Sequence, residues 1–260
     1  MNRLDAKFSQ IRESGEVGII VYLTVGYPEL QATIPLVQAV VEGGADVIEL
    51  GVPFSDPLAD GATLQKASAV ALAQGITLSR CLEVGRQLRG ITSLPLVLMS
   101  YFNPILSYGV KALARDAATA GLDGLIVVDL PPEEAEELRQ ACLGLGLDLI
   151  FLVSPTSTEE RIRRVAEAAS GFIYCVSVAG VTGARSELAS TLPQFLARVR
   201  QKTFLPLAVG FGISTAQHVK AMKGIAEAAV VGSALAEVIG EGAPSAAPER
   251  ARRFIAQLKG

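Results

Sequence analysis

The sequence has little of what most catalytic sites are made from. Of its 260 residues one is histidine, His218, so histidine-rich metal centres, Ser-His-Asp triads and Cys-His dyads cannot be assembled from it. Cysteine is scarce: Cys81, Cys142 and Cys175 are an odd set with no C-x-x-C spacing. That excludes a disulfide framework in a chain of this size and implies a reducing compartment. Tryptophan is absent and aromatic residues make up only 5%. Neither sign of charge is concentrated, with a net charge of −3 and 19% of residues charged, so no basic block is offered to nucleic acid or to an anionic membrane. The lysines, from Lys7 to Lys259, all fall in stretches read as helix or loop, which leaves no strand-borne lysine to form a Schiff base. Carboxylate clusters with metal-ligand spacing are lacking as well.

Long apolar segments of the membrane or leader type are also missing. The N-terminal stretch is broken by Asp5, Lys7 and Arg12. The uncharged stretch from Ile91 to Val110 is interrupted by Pro95, Asn103, Pro104 and Gly109, and reads as a buried strand followed by a loop rather than as a span.

Abundant instead are short apolar runs. The chain is 50% hydrophobic, with 25 glycines and 13 prolines dispersed between the runs, a composition that folds. Runs begin near Gly18, Val47, Leu96, Gly124, Leu147, Phe172, Leu207 and Ala228, each followed by a Gly/Pro/Asp/Ser loop and a stretch of helical periodicity. Runs apolar on both faces indicate parallel strands covered by helices. Repetition without a break in composition predicts one α/β domain over residues 1–260, a (β/α)8 barrel, with an open doubly wound sheet as the alternative. Leu4, Phe8 and Ile11 form a stripe on an extra N-terminal helix that would close the barrel bottom. Leu30, Ile34, Val37 and Val41 share a helix face, Thr158 caps another helix, and a last helix is expected over Glu249 to Lys259. The connections after the second and sixth strands are too long for simple crossovers, and in barrels such loops carry active-site residues.

Glu49 is a lone carboxylate inside the apolar run Val47-Ile48-Glu49-Leu50. Burial there would raise its pKa toward neutrality and suit it to proton transfer; a structural ion pair is the other reading. Asp60 follows in the loop from Glu49 to Gly61 and could return over the same strand end as a second acid–base group. Asp60, and Asp56 more so, could equally be turn or cap residues. The loops Val209 to Ser214 and Val230 to Ala234, after strands seven and eight, contain Gly212, Gly232 and Ser233, and this pair of loops often binds phosphate through backbone N–H groups. Gly183, in the Gly-rich loop Val176 to Glu187, could close over the same anion. Tyr22, Tyr101, Phe102, Tyr174 and Phe211 fall at or just beyond strand ends, which suggests a flat apolar substrate part. His218 is read as a solvated or capping residue.

These segments resemble the tryptophan synthase alpha chain family. The stretch Glu49 to Gly61 (ELGVPFSDPLADG) is close to that family's signature, and TVGYP from Thr24, VVDLPPEE from Val127, AGVTG from Ala179, VGFGIS from Val209 and VVGSA from Val230 match in order and spacing. The resemblance covers essentially the whole chain. It implies a (β/α)8 barrel in the cytoplasm that cleaves indole-3-glycerol phosphate to indole and glyceraldehyde 3-phosphate. It implies no cofactor on this chain, and a pyridoxal-phosphate-dependent beta chain as partner in an alpha2beta2 heterotetramer. Carried over, Glu49 is the main acid–base and Asp60 faces the indole N–H. Gly183, Phe211, Gly212, Gly232 and Ser233 hold the phosphate, and Tyr22 and Tyr174 line the indole pocket. Tyr22 stands where Phe is frequent, Ala62 replaces a common Pro, and Val178 occupies a position that is often Arg. A phosphosugar isomerase on the same barrel, a catalytically silent regulatory barrel and a stand-alone lyase releasing indole are the competing readings.

Overall fold

The structure, a computed structural model, describes residues 2–177, 191–210 and 212–260. Its eight parallel strands are β1 (Gly18–Thr24), β2 (Val47–Gly51), β3 (Leu96–Ser100), β4 (Gly124–Val127), β5 (Asp148–Val153), β6 (Ile173–Val176), β7 (Leu207–Gly210) and β8 (Ala228–Val231). They pair in sequence order and close on themselves through β1 and β8. This is the (β/α)8 barrel and not the open sheet. Each apolar run forms its strand, with β5 and β6 starting one residue later than the sequence suggested.

Side chains alternate across each strand, so two cores form. The outer one packs the outward faces, among them Ile19, Val21, Ile48, Leu50 and Leu98, against the surrounding helices. The inner one fills the lower barrel with Ile20, Val47, Val97, Ile126, Ile150 and Phe172. Its floor is the N-terminal helix Arg3–Ser14, whose Leu4, Phe8 and Ile11 are buried as expected. The Phe8 and Phe172 rings lie 5.4 Å apart. Burying a ring of this size stabilises the fold by about 1.5–3 kcal/mol.

The bottom rim carries a repeated device. Asp46, Asp123, Ser170 and Glu227 each stand just before an even-numbered strand. Each accepts a backbone N–H from the strand before it: Ile19 at 2.9 Å, Leu96 at 2.8 Å, Leu149 at 2.9 Å and Leu207 at 2.7 Å. These amides lie at or near strand starts, and the side chain gives a buried donor its acceptor. The carboxylates are neutralised in turn: Asp123 by Arg3 and Arg89, Glu227 by Arg12 and Arg200, Asp46 by Lys7 and Lys259.

Several local expectations are refined. The segment after β3 is a helix, Phe102–Tyr108, rather than a loop. Pro104 sits in its first turn, where a missing N–H costs no helical bond. Phe102, expected at the mouth, packs instead against the outer core. His218 is not solvated: it is buried on the short helix Ala216–Lys220, and its Nδ1 accepts the Ser214 N–H at 3.3 Å, so of the two roles expected for it the capping one is seen. The final helix, Ala247–Lys259, starts two residues earlier than expected. Thr158 caps its helix through the Arg161 N–H. The long connection after β2 comprises the loop 52–61 and two helices, Ala62–Ala73 and Leu78–Arg89. The connection expected after the sixth strand falls largely outside the described residues. Among the described residues no helix is long and apolar enough to cross a membrane.

Candidate active site

Glu49 is the third residue of β2, on the inward face it shares with Val47 and Gly51, and it is 0% exposed. Both its carboxylate oxygens lack a hydrogen-bond partner among the described residues. Burial alone pushes its pKa up to about 8. Among the described residues nothing balances a charge at this position, so the ion-pair reading finds no partner there, and a buried polar group left open in this way fits a site that a ligand completes.

Asp60 reaches the same region from the loop 52–61. The loop is held by internal and external bonds. Asp60 N–H donates to the Pro57 carbonyl at 3.0 Å, and the Gln65 side-chain amide donates to the Asp60 carbonyl at 2.9 Å. From the end of β3, the Tyr101 hydroxyl accepts the Ala59 N–H at 2.9 Å, and its ring packs on Phe54 with centroids 5.2 Å apart. Asp60 is buried, and burial lifts its pKa to about 6 against the lowering effect of a hydrogen bond with Tyr101. Tyr101 thus braces the Asp60 loop, which goes beyond the substrate contact read from its position. Asp56 is exposed, its carboxylate bonded to Ser55 and its carbonyl accepting the Leu58 N–H, a turn role.

Two phenols complete the inner face. Tyr22 is the register partner of Glu49 across β1 and β2, and Tyr174 on β6 is opposite Ala208 on β7. Burial pushes both phenols up, and the Glu49 and Asp60 charges push the same way, so both remain protonated donors. Each hydroxyl lies over a glycine. A Cβ on Gly51 would come 2.2 Å from the Tyr22 oxygen, and one on Gly210 2.2 Å from that of Tyr174. These two glycines were not singled out from sequence; a glycine ending an otherwise apolar strand was the available signal.

β7 and β8 pair through Ala208 with Ala228 and Val209 with Ala229, and Gly212 and Gly232 lie in the loops that follow these neighbouring strands. Gly212 has φ +84° with open space where a Cβ would be, and Gly232 precedes the helix Ser233–Gly240. The first N–H groups of that helix, which follows the C-terminal end of β8, have no partners within it, an arrangement that favours an anion. Gly183 and Phe211, with Val178 and the rest of the stretch 178–190, lie outside the described residues. A cleft of about 450 Å³ at the bottom end is lined by Arg12, Arg200, Lys223, Glu16 and Glu227, whose charges already pair with one another.

A closed (β/α)8 barrel with two carboxylates of separated pKa under a glycine-lined helix end defines a barrel enzyme of the acid–base class. Comparison with known proteins gives the family. A family model described as tryptophan synthase alpha chain matches residues 8–259. A tryptophan synthase alpha chain of Roseiflexus sp. (strain RS-1) is 53% identical over 262 residues, covering 100% of both chains. One of Geotalea uraniireducens (strain Rf4) is 46% identical, covering 100% of this chain and 97% of the other. Among solved structures, Mycobacterium tuberculosis tryptophan synthase superposes with a TM-score of 0.91 at 39% identity, covering 99% of this chain and 97% of that one. The tryptophan synthase alpha chain of Legionella pneumophila superposes with a TM-score of 0.91 at 34% identity, covering 100% and 96%. The chain belongs to the tryptophan synthase alpha chain family, a family of carbon–carbon lyases that cleave indole-3-glycerol phosphate in tryptophan biosynthesis.

Proposed function

We propose that Glu49 and Asp60 divide the acid and base work of that cleavage between them. The observation that carries this reading is the buried Glu49, unpartnered among the described residues, together with a second carboxylate of lower pKa whose charge acts on the same two tyrosines, Tyr22 and Tyr174. Near neutral pH Glu49 holds a proton and Asp60 has largely lost its own, the separation that assigns acid and base roles. Asp60 accepts the indole N–H and stabilises positive charge on the ring. Glu49 protonates the ring carbon that carries the glycerol chain, turning the ring into an iminium-like electron sink. The Glu49 carboxylate then takes the proton of the adjacent glycerol hydroxyl. The carbon–carbon bond breaks, its electron pair returns to the ring, and the hydroxyl carbon leaves as an aldehyde. One proton has moved from hydroxyl to ring carbon and Glu49 is regenerated, so no cofactor is required on this chain.

The neutral phenol of Tyr174 serves the indole pocket, together with the ring of Tyr22. Gly212, Gly232, Ser233, Gly183 and Phe211 hold the phosphate through backbone N–H groups. The partner is a pyridoxal-phosphate-dependent beta chain in an alpha2beta2 assembly, docked on the mouth. Leu58, 85% exposed on the Asp60 loop, supports a protein contact there. Free, buried Cys81, Cys142 and Cys175 suit the cytoplasm. The test is product analysis: indole and glyceraldehyde 3-phosphate should form in equal amounts from indole-3-glycerol phosphate, and Glu49→Gln should lower turnover by on the order of 10² or more. A Glu49→Gln chain with parental turnover removes Glu49 from the mechanism.

A further inference from the structure

The Tyr22 hydroxyl has a more specific environment than a pocket-lining ring needs. Tyr22 lies in register with Glu49, and both are inward-facing. Its phenol leans toward the mouth across Gly51, the next inward position above Glu49, and any side chain at Gly51 would collide with the ring and the hydroxyl. The hydroxyl is therefore accommodated by the backbone of the catalytic strand, one layer above the carboxylate. Thr24, the next inward residue of β1 and itself buried, donates its hydroxyl proton to the Tyr22 oxygen at 3.4 Å. With that oxygen accepting from Thr24, the phenol proton points elsewhere.

The other groups around the phenol narrow where it goes. Asp60 exerts the largest charge effect on Tyr22, ahead of Glu49, and burial keeps the phenol neutral. Tyr101, the other hydroxyl at Asp60, accepts the Ala59 N–H and supplies Asp60 with one hydrogen bond, leaving the other lone pairs of the carboxylate to a second donor. A carboxylate held ionised in a dry site needs donors on more than one lone pair. We propose that the Tyr22 hydroxyl, aimed by Thr24 and given room by Gly51, is a positioning residue that donates a hydrogen bond to the Asp60 carboxylate in the substrate-bound site. It thereby holds Asp60 ionised and oriented toward the indole N–H. The inference rests on the role of Asp60 proposed above. It assigns to the hydroxyl a role distinct from that of the ring, which Phe would fill equally well.

The experiment uses the purified full chain, with indole release from indole-3-glycerol phosphate followed between pH 5 and 9. Tyr22→Phe should fold with a parental thermal midpoint and lower kcat about tenfold while KM changes little, the scale of one charge-assisted hydrogen bond. Its acidic limb should move to higher pH, because Asp60 loses a donor to its charged form. Thr24→Val should shift both in the same direction by less, and Thr24→Ser should restore them. Asp60→Asn/Tyr22→Phe should be no slower than Asp60→Asn, since the hydroxyl acts through Asp60. The proposal is overturned by a Tyr22→Phe chain with parental kcat and acidic limb, by a loss confined to KM, or by multiplicative losses in the double variant. An active Asp60→Asn chain overturns the role of Asp60 itself, an outcome separate from these.

Discussion

The hydroxyl of Tyr101 accepts the backbone N–H of Ala59 at 2.9 Å, so a side chain from the end of β3 fixes the residue that precedes Asp60. The catalytic geometry thus depends on a bond between two neighbouring loops, neither of which contributes Glu49. Tyr101→Phe keeps the ring contact with Phe54 and removes the acceptor and the hydrogen bond that lowers Asp60. It should lower kcat and move the acidic limb of the pH–rate profile upward. Indole release measured across pH checks this, and a profile superimposable on the parent would remove Tyr101 from the positioning of Asp60.

Glu49 should be costly to stability in one pH window. Its pKa is raised to about 8 from an ordinary 4.5. Below about pH 4.5 folded and unfolded chains both carry it protonated, and it favours neither. Between there and about pH 8 only the unfolded chain ionises, so the folded state is progressively disfavoured, by up to a few kcal/mol. Glu49→Gln removes this effect. Its thermal midpoint should exceed the parent's at pH 8, with the gap closing toward pH 5. An equal gap at both pH values would contradict the raised pKa.

At the bottom rim, Asp123 is 3% exposed, accepts the Leu96 N–H and meets both Arg3 and Arg89. Asp123→Ala leaves the buried Leu96 amide without its acceptor and removes the carboxylate that neutralises Arg3 and Arg89, although Arg89 keeps its bonds to the Gly121, Thr92 and Leu94 carbonyls. A loss of about 2–4 kcal/mol in urea unfolding is expected, against about 1 kcal/mol for Ser170→Ala, where a neutral acceptor is removed. The two catalytic parameters of Ser170→Ala should remain parental, because this rim lies at the other end of the barrel from Glu49.

The phosphate wall is tested by charge. Gly212 has open space at its Cβ position but φ +84°, so Gly212→Asp introduces a repulsive carboxylate together with backbone strain. It should raise KM by at least about tenfold, and inorganic phosphate should inhibit the parent competitively. Gly212→Ala separates strain from charge: it should raise KM less than the aspartate does.

The strands were legible in the sequence because parallel strands covered on both faces are continuous apolar runs, and each run became a strand. Glu49 was legible for the same reason in reverse, as one charge inside such a run. Gly51, Gly210 and Thr24 were not. Their importance follows from which residue stands inward above Glu49 or beside a tyrosine, and that needs strand register, which pattern alone does not carry. The helix Phe102–Tyr108 was missed because Pro104 reads as a breaker unless its place in the first turn is known. Tyr101 reads from sequence as a substrate contact because its position at a strand end is visible there, while the fold of the Asp60 loop over it is not.

The central claim is that two carboxylates, separated by their burial, carry the cleavage. It is tested most directly by the pH dependence of kcat/KM, the parameter that reports the free chain, for indole formation in the parent, Asp60→Asn and Glu49→Gln. The parent should give a bell with limbs near the Asp60 value of about 6 and the Glu49 value of about 8. Activity falls below the first as Asp60 gains a proton, and above the second as Glu49 loses the one it must donate. Asp60→Asn should lose the acidic limb and Glu49→Gln the basic one, each at greatly reduced rate. A flat parental profile between pH 5 and 9, or both limbs unmoved in the two variants, would contradict the account.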